Sequence, residues 1–153
     1  MVYNVTHFKL GEFACRCCGR VEVAAALALW LEILRRAWGG AIHVNSGYRC
    51  LRHNTNVGGS ISRRPARNEL RRSLRFFIKT SRHMLGCAAD IRPSGPGRGK
   101  KMDTKFMYLA HRLFDGIPGR EYVKYSTYLH VAVPRVEAGT LWSGNAAVNI
   151  DLK

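Results

Sequence analysis

S-R-H-M-L-G-C-A-A-D-I, residues 81 to 91, carries a His and an Asp seven positions apart, His83 and Asp90. Gly86 and the small pair Ala88-Ala89 lie between them. Seven residues overshoot the i,i+4 spacing of one helical face, and an odd separation puts two side chains on opposite faces of a continuous strand. They converge only if the chain turns between them, and Gly86 permits that turn. A loop carrying His83 into a strand carrying Asp90 would aim an imidazole and a carboxylate at one point. That is two thirds of an open zinc site, which takes three protein ligands and keeps one position for water. The third ligand is expected from another element: His130 in Y-L-H-V-A-V-P, a run that reads as a buried strand. The competing reading is one hydrogen-bonded His and one capping Asp. The two residues alone favour that one.

The wider order of motifs shifts the balance. S-G-Y-R-C-L-R-H-N-T-N-V-G-G (46 to 59) comes first, then S-R-H-M-L-G-C-A-A-D-I, then F-D-G-I (114 to 117) and L-H-V-A-V (129 to 133). H-F-K-L-G-E-F-A-C-R-C-C-G (7 to 19) precedes them all. In this order the chain resembles the zinc D-Ala-D-Ala carboxypeptidase-like peptidases, LAS-type metallopeptidases that cut peptidoglycan peptides. The resemblance runs from residue 7 to about 134. It implies an α+β fold of the hedgehog/D-Ala-D-Ala-peptidase type: a small, mainly antiparallel sheet with two or three helices. It also implies that His83, Asp90 and His130 bind Zn2+, that Arg49 reaches into the site, and that Ser81 and Tyr128 join Arg49 in binding substrate.

At 153 residues the chain has the length of one domain, and 46% hydrophobic residues make it globular. Lys and Arg number 25 against 10 Asp and Glu, a formal charge of +15. Such a chain seeks polyanions. Nucleic acid is one; an anionic cell-wall polymer is another and suits the resemblance better. A basic surface with no dedicated partner is the plain alternative. No signal peptide is apparent at M-V-Y-N-V-T-H-F, and the apolar stretch V-A-A-A-L-A-L-W-L is too short to span a bilayer. The expectation is a monomer held in the cytoplasm until release, in the manner of a phage endolysin acting on the cell wall.

Five cysteines occur, Cys15, Cys17, Cys18, Cys50 and Cys87. C-R-C-C has no second C-x-x-C to complete a zinc ribbon. Cys50 follows the Ser-Gly-Tyr-Arg strand end and could meet the N-terminal cluster, as a Cys15–Cys50 disulfide or a small structural metal site. Buried free thiols are the reading a cytoplasmic chain favours. Cys87 reads as a small core residue.

Along the chain, 7 to 20 reads as an irregular segment anchored by Phe8, Leu10 and Phe13. Residues 22 to 38 read as a helix, with Ala24, Leu27, Leu31, Leu34 and Trp38 on one face and Gly39-Gly40 as its stop. A strand at 41 to 46 places His43 on the face away from Ile42 and Val44. His53 and Asn54 are expected to pin a loop by hydrogen bonds. A basic insertion at about 60 to 80 departs from the resemblance. It reads as an amphipathic helix from Pro65, with Leu70, Leu74, Phe77 and Ile78 on one side and arginines around the rest. It would suit an anionic polymer or simply pack on its own domain. A basic Pro/Gly loop follows at 92 to 101. A second helix is expected at 103 to 115, capped by Asp103, with His111 exposed. Strands follow at about 121 to 125 and 128 to 133. The tail from about 135 is weakly patterned and is expected to pack through Leu141 and Trp142.

The resemblance implies that zinc activates a water, that Arg49 steadies the oxyanion, and that a protein base moves the proton. Relatives carry an acidic residue or His just before the last zinc His and often an Asp after it. Here Thr127, Tyr128 and Ala132 occupy those places. Glu121 is the nearest upstream carboxylate and the candidate catalytic group, with Asp115 next. Three readings follow: a zinc peptidase on peptidoglycan stem peptides or cross-links (D,D-carboxypeptidase or endopeptidase), an inactive zinc-holding wall-binding module, and a nucleic-acid binder.

Overall fold

Alternation along the strands decides which side chains meet. In a computed structural model that describes residues 2–59, 81–94, 102–135, 141–144 and 148–149, four strands form one antiparallel sheet. With β1 at Val2–Tyr3, they are β2 (Ile42–Ser46), β3 (Ala88–Pro93), β4 (Glu121–Lys124) and β5 (Leu129–Ala132), in the spatial order β2-β3-β5-β4. Ala89 and Ile91 of β3, and Leu129 and Val131 of β5, enter the apolar core. The intervening residues must therefore point to the other face. Asp90 lies directly opposite His130 in the β3–β5 register, so the two share that second face.

The helices cover the core face. Helix α1, Ala25–Trp38, buries Leu27, Leu29, Leu31 and Leu34. Full burial of each such side chain stabilises the fold by about 1.5–3 kcal/mol. Gly39 ends the helix in the left-handed region at φ 76°, as the sequence predicts. The start differs: the helix was expected from 22 but begins at Ala25. The Ala24 N–H donates to the Gly86 carbonyl at 2.9 Å, and Trp142 N–H to that of Val23 at 2.8 Å, so this backbone is extended and bonded elsewhere. Helix α3, Thr104–Phe114, is capped by the Asp103 side chain accepting from Phe106 N–H at 3.1 Å. It buries Phe106, Ala110 and Phe114, leaves His111 exposed, and packs Phe106 edge-on against Trp38, centroids 5.5 Å apart.

Between β2 and β3 the register slips at Val44/Ser46, a bulge. Val44 pairs with Ile91 on the core side, whereas Ser46 pairs with Asp90 on the other. One extra residue thus turns Ser46 onto the face that holds Asp90.

Two further sequence expectations change. His53 and Asn54 lie not in a loop but in the short helix α2, Leu51–Asn56, because the Cys50 side chain caps it by accepting from His53 N–H. Leu141 is 59% exposed and meets Ala24 only through a backbone bridge, while Trp142 alone carries the packing, edge-on to Phe13 at 6.1 Å. Ahead of the segment 7 to 20, β1 pairs antiparallel with β6 (Val148–Asn149). The basic insertion and most of the Pro/Gly loop lie outside the described residues. No helix among the described residues is long and apolar enough to cross a membrane.

Candidate metal centre

His83 arrives on a 3-10 turn, Arg82–Leu85, that closes at Gly86 with φ 68°. A Cβ at Gly86 would lie 2.5 Å from the Glu22 carbonyl oxygen, so close approach as well as the left-handed φ requires glycine. The chain turns there and enters β3, and His83 and Asp90 converge as the sequence predicts. His130 completes a triangle. His83 Nε2 lies 3.2 Å from His130 Nδ1 and 3.3 Å from Asp90 Oδ1, and His130 Nδ1 lies 3.0 Å from the same oxygen.

The hydrogen atoms explain why this triangle calls for a cation. His83 Nδ1 is 2.7 Å from the Gly47 carbonyl, which can only accept, so Nδ1 carries the proton. In neutral His83, Nε2 is then a lone pair facing a carboxylate oxygen. His130 Nε2 faces Glu121 Oε2 at 3.3 Å, and donation there leaves Nδ1 as a second lone pair on the same point. With both rings neutral, three acceptors converge with no donor among them; a protonated His130 would instead donate to Asp90. Four-coordinate zinc with nitrogen and oxygen ligands at about 2.0–2.2 Å would hold neighbours about 3.3–3.5 Å apart, close to the spacings here. His83 and Asp90 are buried and His130 nearly so. The donor set therefore fits zinc.

The surroundings brace each member. Arg49 Nη2 donates to Asp90 Oδ2, and Arg49 Nε to Ser46 Oγ at 2.8 Å. Arg49 N–H donates to the His83 carbonyl at 3.1 Å, so the 47–49 segment and the His83 turn hold each other. Burial opposes the Asp90 charge, but His130, His83 and Arg49 outweigh it and hold its pKa below the usual carboxylate range. Burial likewise opposes the charged form of His130, yet Asp90 and Glu121 raise its pKa. The hydrogen bond from His130 lowers the Glu121 pKa against partial burial, and Arg82 adds to it.

Arg49 lies against Asp90. Tyr128 stands two residues before His130, stacked on Tyr125 with centroids 4.5 Å apart. Burial raises its pKa, and the Asp90 charge adds to that. Ser81 opens the His83 turn, where its carbonyl accepts from Met84 N–H at 2.9 Å and its hydroxyl caps nothing. Asp115 is engaged elsewhere, 2.6 Å from His111. Glu121 is brought to the cluster by β4–β5 pairing: Val123 lies opposite His130, and Glu121 two residues back shares that face. It contacts His130 Nε2, on the far side of the ring from the nitrogen that faces Asp90, and Arg82 Nε at 3.1 Å. His43 is exposed and outside the site, and Cys87 is a buried core residue, both as expected.

Residues 6–66 match a family model described as Peptidase M15. The match spans about two fifths of the chain and supports an M15 peptidase family, and with it a zinc peptidase in general. It covers Ser46 to Arg49 but stops before His83, so the triangle of acceptors is support independent of it. No curated protein and no solved structure matches the chain.

Proposed function

We propose that the chain is a zinc-dependent peptidase of peptidoglycan stem peptides or cross-links, released to the cell wall as an endolysin is. The observation that carries the reading is the convergence of His83 Nε2, His130 Nδ1 and Asp90 Oδ1, which fits zinc. When bound there, zinc supplies Lewis acidity that acidifies water and polarises a carbonyl. The residues of the chain do the rest. Gly47 and Glu121 fix the tautomers of His83 and His130. Arg49 holds Asp90 and offers further N–H groups to a peptide carboxylate or developing oxyanion. In this reading Tyr128, two residues before His130, and Ser81, at the start of the His83 turn, bind substrate. Glu121 is placed to position His130 rather than to touch reacting atoms. The +15 charge suits an anionic wall polymer.

Digestion of purified peptidoglycan, followed by fragment mass analysis, tests this with added zinc, with chelator and with His83→Ala. Zinc-dependent loss of terminal D-Ala, or of cross-links, is the expected result. Unchanged fragments from a zinc-loaded protein would sink it. A second reading, a wall-binding module that holds zinc without cleaving, is favoured by the engagement of Glu121 with both His130 and Arg82. It predicts sedimentation with the wall and no new fragments.

A further inference from the structure

Cys15, Cys17 and Cys50 gather at the start of α2. Cys15 closes a tight turn in which Gly19 N–H donates to the Cys15 carbonyl and Cys15 N–H to that of Arg20, both at 2.8 Å. This turn carries Cys17 toward Cys50, the cap residue of α2, with the two sulfurs 3.6 Å apart. The sulfurs of Cys15, Cys17 and Cys50 all lie within 4.8 Å of one another. His53, one turn along α2, places Nδ1 3.3 Å from Cys15 Sγ. Every cysteine is a free thiol, so the expected alternative of a Cys15–Cys50 disulfide is not formed.

We propose that Cys15, Cys17, Cys50 and His53 form a second, structural zinc site. The sequence supplies C-x-C (15 to 17) and C-x-x-H (50 to 53), and the fold brings them together. Tetrahedral zinc with sulfur at about 2.3 Å and nitrogen at about 2.0 Å sets S···S near 3.8 Å and S···N near 3.5 Å. The observed 3.6 Å and 3.3 Å are close to both. The surroundings suit thiolates. Cys50 N–H donates to Cys15 Sγ at 3.5 Å, His53 N–H to Cys50 Sγ at 3.4 Å, and Arg52 Nε to Cys17 Sγ at 3.3 Å. On binding, each thiol that is still protonated gives its proton to solvent, and no electrons move. Cys18 is exposed and outside the proposed set.

The site would pin the N-terminal segment to residue 50, immediately after Arg49. Tyr48 N–H already donates to the Phe13 carbonyl at 2.8 Å, and a Cβ at Gly47 would lie 2.6 Å from Phe13 Cα. The segment that presents the Gly47 carbonyl and Arg49 to the first site is therefore seated on the stretch the second ion would fix.

Zinc content of the reduced full-length chain and its cobalt(II) absorption test the proposal, with no reliance on peptidase activity. Expected are two zinc ions per chain in the wild type, and one each in Cys50→Ser, His53→Ala and His83→Ala. Cys18→Ser should keep both. The cobalt form should show thiolate-to-metal charge transfer that survives in His83→Ala, a readout that holds even if Cys50→Ser fails to fold. Absence of that absorption in the wild type would overturn the proposal. So would a loss of zinc in Cys18→Ser but not in His53→Ala, or an intact mass lighter by two hydrogens with no thiolate-bound metal, the sign of a Cys17–Cys50 disulfide.

Discussion

Glu32 and Asp90 are both buried carboxylates, 1% and 5% exposed, yet they are surrounded in opposite ways. Glu32 is saturated with donors: Thr6 N–H and hydroxyl, both at 3.2 Å, His7 N–H at 3.1 Å, the His7 ring at 2.7 Å and Arg36 Nε at 2.8 Å. Burial opposes its charge, but His7 and Arg36 carry its pKa down to about 2. It is a closed structural pin that ties residues 6 and 7 to α1. Asp90 has one oxygen closed by Arg49 and the other turned toward two imidazole nitrogens whose rings, when neutral, spend their single proton on the opposite side. A buried carboxylate whose neighbours are acceptors is a place prepared for a cation. Burial alone would not have separated the two; the direction of the neighbouring N–H groups does.

The largest expected effect lies at Asp90. Asp90→Asn should bind one fewer zinc than the wild type and lose about a thousandfold or more in wall cleavage, the several kcal/mol of charge stabilisation a metal supplies. Glu32→Gln should keep both the zinc count and the activity per folded molecule. Equal losses in the two variants, by metal analysis and fragment release, would erase the contrast.

Next comes Glu121→Gln. Weakened support of His130 should reduce zinc affinity about 10–100-fold in competition with a chromogenic chelator. An unchanged affinity would show that Glu121 does not position the ligand.

Stability should show the reverse preference. Glu32→Gln should cost about 1.5–3 kcal/mol in urea unfolding, the usual scale for hydrogen bonds to a charged group. The wild-type contribution from Glu32 is present above the unfolded carboxyl pKa of about 4.3, because its folded pKa is depressed. It is lost as pH falls toward about 2. The variant should therefore show a flatter decline in urea midpoint across that window, and parallel declines would break the assignment. The smallest effect is expected from Tyr128→Phe. Loss of one neutral hydrogen bond to substrate should raise KM about two- to tenfold, with the zinc content untouched.

Much of the centre was legible from residue spacing. The odd interval between His83 and Asp90 demanded a turn at Gly86, and the apolar alternation of L-H-V-A-V put His130 on a strand. What stayed hidden depends on pairing between distant segments. The bulge that turns Ser46 toward Asp90 carries no glycine or proline to announce it. Glu121 joins His130 only through the β4–β5 register, which the four-residue connection 125–128 does not announce. His53 was read as a loop pin and indeed contacts Cys15, but its place beside that sulfur requires α2 to fold against the N-terminal turn. Two-residue strands such as β1 and β6 are too short to show a period. Leu141 looked like an anchor because it is apolar; its backbone, not its side chain, makes the contact.

Crystallography of the zinc-loaded chain, with anomalous scattering recorded at the zinc edge, tests the central claim most directly. A peak is expected bonded to His83 Nε2, His130 Nδ1 and Asp90 Oδ1 at about 2.0–2.2 Å, with His130 Nε2 still directed at Glu121. Density with no peak among these three residues, or a metal held through His130 Nε2, would contradict it.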